Sequence, residues 1–374
     1  MPDTEGSLAA WHDFLLRLAG VLPDDLICEA RAWLADGLQV DVAQALALAA
    51  VAAGTPVRAA DELLMMDVLE AADEDLSALI DLETRPDDDT APLLWSFSPV
   101  RPEAIRADGG PLLLDATTAA GSSSERDHID LTAVTAAEVD DRVVAVWRAW
   151  RTRLDGLDRE MPRRVFILSV SADGAEMPEM TAQLQARLIA AGENDPQVEV
   201  CSEEADLPDY QSAAWSRSAL LWAAEPAEAI HLARVFDYVD PDHGPAFDSD
   251  HPMIENDDEI ALLLDYLENA TPVLVTSSTI ADVADDAHPD VVPLTFRTDG
   301  TWVWTEAVSY YLKRHRLAPE ARLLAHVRST VPMPPRILTD VGVYRVLSFL
   351  EHFDAEPAWV FSPADEFESD YVPT

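Results

Sequence analysis

The sequence predicts a mixed α/β (α+β) chain with an N-terminal helical bundle, a central β-α-β unit and a C-terminal hairpin-plus-helices unit. Three observations predict it. The first 85 residues repeat apolar side chains at helical spacing between Gly and Pro stops. Val165–Val170, Pro178–Ala191 and Val198–Cys201 read as strand, helix and strand, the order of a parallel β-α-β crossover. Asp299–Gly300 is the strongest hairpin signal in the chain, because a two-residue turn needs positive φ and Gly supplies it. A length of 374 residues suits two or three domains.

Taken in order, Ser7 is expected to cap a helix with Trp11, Phe14, Leu15 and Leu18 on one face, stopped by Gly20. Pro23 and Asp24 open a second helix that carries Leu26, Ile27, Ala30, Trp33 and Leu34. Val40–Ala53 is apolar nearly all round and is expected at the buried centre of the bundle. Ala59–Ala71 and Glu74–Leu82 complete a helical domain over 1–85, and Arg85–Asp89 is a charged linker.

A central α/β domain is expected over 90–236. It starts with short strands at Leu93–Phe97 and Pro111–Ala116 and a loop at Gly121–Glu125. Val139, Val143, Val146, Trp147, Trp150 and Leu154 recur at helical spacing, which predicts a long helix over Ala136–Leu157. After the β-α-β unit come a third strand, Ser218–Ala223, and a helix, Ala227–Phe236. Residues 237–252 read as an acidic Pro/His loop.

A C-terminal α+β domain follows over 253–374, with a helix at Asp257–Glu268 and strands at Pro272–Thr276 and Val291–Arg297. Thr301–Trp304 returns as the hairpin partner, and Thr305 caps a helix at Glu306–His315. Helices at Pro319–Arg328 and Asp340–His352 finish it.

The 70 acids outnumber 25 basic residues, for a net charge of −45. Segments divided at 90, 160 and 254 carry −16, −4, −12 and −13, so this is no acidic tail on a neutral body. Such a charge repels polyphosphate and anionic lipid and attracts basic partners. It argues against nucleic acid as a partner, and no apolar run approaches the ~18–20 residues that span a bilayer. Cys28 and Cys201 stand far apart with no C-x-x-C, the usage of buried thiols in a reducing cytosol. Met1–Gly6 has no basic region of a signal peptide, so a cytoplasmic location is expected.

No phosphate-cradling Gly loop, Gly-x-Ser-x-Gly elbow or His-Glu-x-x-His is present, and no catalytic residue is assigned. The densest ligand cluster is Asp237, Asp240, Asp242, His243, Asp248, Asp250 and His251. Its oxygens and imidazoles could hold a divalent metal, although it lacks the later Glu that closes a calcium loop, and the alternative is a solvated loop. No other cofactor is expected.

The most specific local pattern is Phe296-Arg297-Thr298-Asp299-Gly300-Thr301-Trp302-Val303-Trp304-Thr305 followed by Tyr310-Tyr311-Leu312. Alternation places Trp302 and Trp304 on one face and Val303 on the other. Either the indoles cover the following helix, with Tyr310 or Tyr311 completing a small core, or Arg297, Trp302, Trp304, Tyr310 and Tyr311 form an exposed interface hot spot. With Leu317-Ala318-Pro319 and Leu324-Ala325-His326 after it, this pattern resembles uncharacterised acidic proteins of high-GC actinobacteria over roughly residues 270–330. That resemblance implies a bacterial origin and no activity.

The functional expectation is therefore an acidic cytosolic protein-binding protein that neutralises or scaffolds a basic protein partner, in the manner of immunity or adaptor proteins. One alternative is a metal-dependent enzyme using the 237–251 loop. The other is a homo-oligomeric structural protein assembled through the helical bundle.

Overall fold

The computed structural model describes residues 4–87, 93–105, 109–118, 126–154, 161–240, 244–285 and 290–352. The chain divides into two compact units, Met1–Pro226 and Ala227–Thr374. The division differs from the three parts expected, because the helical segment and the central sheet belong to one unit and the second starts at Ala227.

In the first unit, helices α1 (Thr4–Leu18), α2 (Asp24–Ala35), α3 (Gln39–Ala53), α4 (Ala59–Ala71) and the short α5 (Ser77–Ile80) form the bundle. Trp11, Phe14, Leu15, Ile27, Leu34, Leu46, Met65 and Leu69 fill its core. Ser7 lies inside α1, which starts at Thr4, so it is not the cap expected. Helix α3 is buried along one face through Val42, Ala43, Leu46, Ala47 and Ala50. Leu48 is exposed, so α3 is not enclosed all round. Two short strands, β1 (Val57–Arg58) and β2 (Thr84–Arg85), pair in parallel and tie the start of α4 to the end of the bundle.

The sheet comprises β3 (Trp95–Ser98), β4 (Leu114–Asp115), β5 (Val143–Arg153), β6 (Arg163–Val170), β7 (Gln197–Ser202) and β8 (Ala219–Ala223). Its order is β4-β8-β5-β6-β7, with β3 also pairing with β5. Three helices accompany it: α6 (His128–Glu138), α7 (Met177–Ala190) and α8 (Asp209–Trp215). Strands β6 and β7 are parallel and joined through α7, the expected β-α-β unit. Phe166, Leu168, Val198 and Val200 pack on Ala133, Leu184 and Leu188 of α6 and α7.

The long helix expected over 136–157 does not form. Helix α6 ends at Glu138, and Val143–Arg153 is an eleven-residue strand paired with β3, β6 and β8. Both of its faces are covered along most of its length, so its apolar residues fall on both faces and satisfy helical and strand periods alike. Val, Trp and the chain's position inside a sheet favour the strand.

The second unit contains β9 (His231–Leu232), β10 (Tyr238–Asp240), β11 (Gly244–Ala246), β12 (Thr271–Val273), β13 (Thr279–Ile280), β14 (Val292–Pro293), β15 (Phe296–Thr298) and β16 (Trp302–Thr305). Its helices are α9 (Asp257–Asn269), α10 (Glu306–His315), α11 (Ala321–Thr330) and α12 (Asp340–His352). The main sheet runs β12-β15-β16-β9. The helix expected at 227–236 is replaced by extended chain: the His231 and Ala233 N–H groups donate to the Thr301 and Val303 carbonyls at 2.9 and 2.8 Å. A parallel edge on β16 thereby overrides a weak helical propensity. The 237–252 loop contains an antiparallel pair, β10 with β11.

The β15–β16 hairpin turns over Gly300–Thr301, one residue later than expected, because the Asp299 N–H donates to the Trp302 carbonyl. Gly300 takes φ +95°, a conformation in which an L side chain is strained. Thr305 occupies the N-cap position of α10, but its hydroxyl makes no capping bond.

Candidate functional site

The hairpin aromatics were the first candidates, and the second unit encloses most of them. Trp302 is 5% exposed and Trp304 is fully buried, in one core with Phe236, Tyr266, Leu267 and Tyr311. Val303 faces the other way, with Val273 and Val346. The Trp304 Nε1–H donates to the Leu267 carbonyl at 3.3 Å, and the Tyr311 hydroxyl accepts from the Val283 N–H at 3.2 Å. Burial also raises the Tyr311 phenol above its usual range. Tyr310 is half-buried and donates to Asp282 at 2.9 Å. Arg297 pairs with Glu306 at 2.7 Å and donates to the Ala270 carbonyl. The structure thus brings the indoles and Tyr311 together as core, so the exposed patch that was the alternative does not form.

In the acidic loop, the Asp237 carboxylate meets His251 Nδ1 at 2.8 Å and accepts from the Asp248 N–H at 2.8 Å. His251 Nε2 lies 2.9 Å from the Ala318 carbonyl. Asp240 belongs to β10 and Asp250 is exposed, while Asp242 and His243 lie outside the described residues. Among the described residues no three His, Cys, Asp or Glu side chains converge as a metal site. Asp237 and His251 are a pair that fastens the loop.

Two further carboxylates organise the unit. Asp299 accepts from Tyr266 Oη at 2.7 Å, from the Thr301 and Trp302 N–H groups at 2.9 and 2.8 Å, and meets His326 Nε2 at 2.6 Å. Asp282 meets His315 Nε2 at 2.6 Å and accepts from Tyr310 Oη. Burial pushes the Asp282 carboxyl up, but His315, the Ala284 N–H and Tyr310 together hold it below the usual range. Carboxylates so fully engaged hold turns and helices in place. No family model, curated protein or solved structure matches this chain.

A different surface of the first unit concentrates negative charge. Residues 59–84 carry nine acids and no Lys, Arg or His. Asp61 is buried against Arg17, whereas Asp67, Glu70, Asp73, Glu74, Asp75, Asp81 and Glu83 are all exposed. On α4, Leu63, Asp67 and Glu70 fall at i, i+4 and i+7, which aligns them along one face. Leu63 is 54% and Ile80 81% exposed, so apolar side chains stand among the acids. Hydrogen bonds from Ser77 to Asp75 hold that carboxyl below the usual range and fix the turn before α5. This acid-only run is visible in the sequence, but summing charge over 90 residues concealed it. The three arginines Arg17, Arg58 and Arg85, which line one cavity of the first unit, form no local motif in the sequence.

Proposed function

We propose that this protein binds a basic protein partner through the α4–α5 face. The observation that carries the reading is the exposed run of seven acids with Leu63 and Ile80 among them and no cation in residues 59–84. Repulsion among these carboxylates is relieved when a cationic surface approaches, and the field of the whole chain accelerates that encounter. Desolvated apolar anchors then hold the complex, a role the buried hairpin indoles cannot fill. A cytoplasmic setting and a neutralising or adaptor role accompany this reading.

The test uses a cationic amphipathic helical peptide of Lys and Leu, titrated calorimetrically into the full chain. Reversing Asp67, Glu70, Glu74 and Asp81 to Lys is expected to weaken binding at least tenfold. Reversing four exposed acids of the second unit, Asp250, Glu255, Asp258 and Asp265, is expected to leave it within about twofold. Equal losses from the two sets would mean diffuse attraction to net charge and would refute the proposed face.

A further inference from the structure

Within this acidic chain one cavity gathers positive charge. Residues 1–87 contain eighteen acids and only four basic residues other than His, all arginine. Arg31 is buried in an ion pair with Glu199. The other three, Arg17, Arg58 and Arg85, line the same cavity of about 120 Å³, with Asp209 as the only carboxylate among the described residues that line it.

Three separate elements bring these arginines to one cavity. Arg58 and Arg85 are register partners in the parallel β1–β2 pair, so their side chains leave the ladder on the same side. Like charges placed directly opposite each other oppose the pairing. Buried Nε of Arg58 has no hydrogen-bond partner, and such a group is costly unless something accepts from it. Arg17 reaches in from α1, aimed by a two-pronged contact with Asp61 at 2.5 and 3.3 Å.

The remaining wall is rigid. Trp95 donates its Nε1–H to the Gly20 carbonyl at 2.6 Å, and the buried Tyr210 hydroxyl accepts from Arg151 at 3.0 Å. Gly20, at φ +73°, is pressed so closely on both rings that a Cβ would lie 2.4 Å from Tyr210 and 2.9 Å from Trp95. A second cavity, of about 310 Å³, shares Arg17 and Arg58 and extends past Ser202 to Asp13 and Asp206. Arg17 and Arg58 therefore stand where a compact cavity lined by arginines meets a roomier one whose polar lining includes Asp13, Ser202 and Asp206.

We propose that this cavity binds the phosphate group of a small molecule, as free phosphate or as a phosphomonoester whose hydroxylated body occupies the adjoining cavity. Guanidinium forks match tetrahedral oxyanions with paired, charge-assisted hydrogen bonds. Arg58 brings a buried Nε that still lacks an acceptor, and Arg17, whose Nε and Nη2 hold Asp61, adds its charge beside it. The acid-rich surroundings exclude polyanions such as nucleic acid, which restricts the ligand to one small enough to enter alone. The inference goes beyond the α4–α5 reading and stands independently of it, since it concerns a ligand of opposite charge.

The test is calorimetric titration of the full chain with inorganic phosphate and with a hexose phosphate, each against chloride at matched ionic strength. Saturable binding of at least one phosphate probe is expected, with Arg58→Gln and Arg85→Gln each weakening it at least tenfold. Arg322→Gln, at an exposed site in the second unit, is expected to change nothing. Arg58→Lys, which keeps the charge and stem but loses the fork, should fall between the wild type and Arg58→Gln and guards against a misfolded variant. Tighter binding of the hexose phosphate assigns the adjoining cavity to the ligand body, while equal affinity assigns the site to free phosphate. Absence of binding to both probes by the wild type, or unchanged affinity in folded Arg58 and Arg85 variants, overturns the proposal.

Discussion

Replacing Arg31 with Met should destabilise the first unit far more than replacing the whole ion pair. Arg31 and Glu199 are 1% and 0% exposed at the side chain, with Nη2 and Oε2 2.7 Å apart. At an effective dielectric near 20 that separation corresponds to about 6 kcal/mol of attraction, and withdrawing each ion from water costs several kcal/mol. The pair therefore roughly breaks even, while a lone Glu199 does not. Glu199 would retain only the Gln211 amide, which donates to it at 2.8 Å, and its Oε1 already lacks a partner. The expected loss for Arg31→Met is about 3–5 kcal/mol. Arg31→Met combined with Glu199→Gln should recover at least about 2 kcal/mol of it.

The assay is built into the unit. Cys28 and Cys201 are both buried and lie three and two residues from the pair in sequence, so urea-dependent labelling of their thiols reports this unit's unfolding. Burial pushes the Cys28 thiol up to about 11 and raises Cys201 further, which keeps both silent in the folded state. For ordinary urea dependence the midpoint should fall by about 1–3 M in Arg31→Met. A shift under about 0.5 M, or a double variant as unstable as the sum of the singles, would refute the argument that the pair acts as one unit.

Two further outcomes follow from buried groups. Burial pushes the His12 imidazole down to about 4, the bond to the Val200 carbonyl at 2.8 Å opposes this, and the Arg31 charge adds to the lowering. The unfolded chain takes up this proton near 6.5 and the folded one only near 4, so stability is complete above pH 6.5 and declines towards pH 4, by about 3 kcal/mol. His12→Gln should flatten the pH dependence of the urea midpoint over that window, read by circular dichroism. In the second unit, Trp304→Ala removes a fully buried indole and should cost about 3–5 kcal/mol, lowering the melting temperature by on the order of 10 °C or more.

Much of the helical architecture was legible because its signals are local. Gly54, in the left-handed conformation at +60°, ends α3 where the sequence places the stop, and α4 and α12 run between the residues expected. Asp257 opens α9 as expected, and the Asn256 side chain before it accepts from the Asp258 and Glu259 N–H groups. The β-α-β unit was legible because short apolar runs bounded by polar turns have few other uses. The segment 143–153 was not, because a strand buried on both faces carries no alternation to distinguish it from a helix. Nor was 227–236, whose extended conformation depends on hydrogen bonds from β16, some seventy residues away.

The candidate sites divide along the same line. That Trp302 and Trp304 share a face opposite Val303 follows from strand alternation alone; that this face is enclosed depends on Phe236, Tyr266 and Tyr311 arriving from other segments. The acids of residues 59–84 owe their exposure to a helix whose apolar side finds a bundle core, and their number is a matter of composition. By itself the sequence determined the charge of this protein, helix stops such as Gly54, and the alternation of its hairpin, since each acts within a turn or two of chain. Only the tertiary structure decided which acids remain exposed at the surface and that Arg17, Arg58 and Arg85 line one cavity, because proximity between distant residues is set by the path of the backbone.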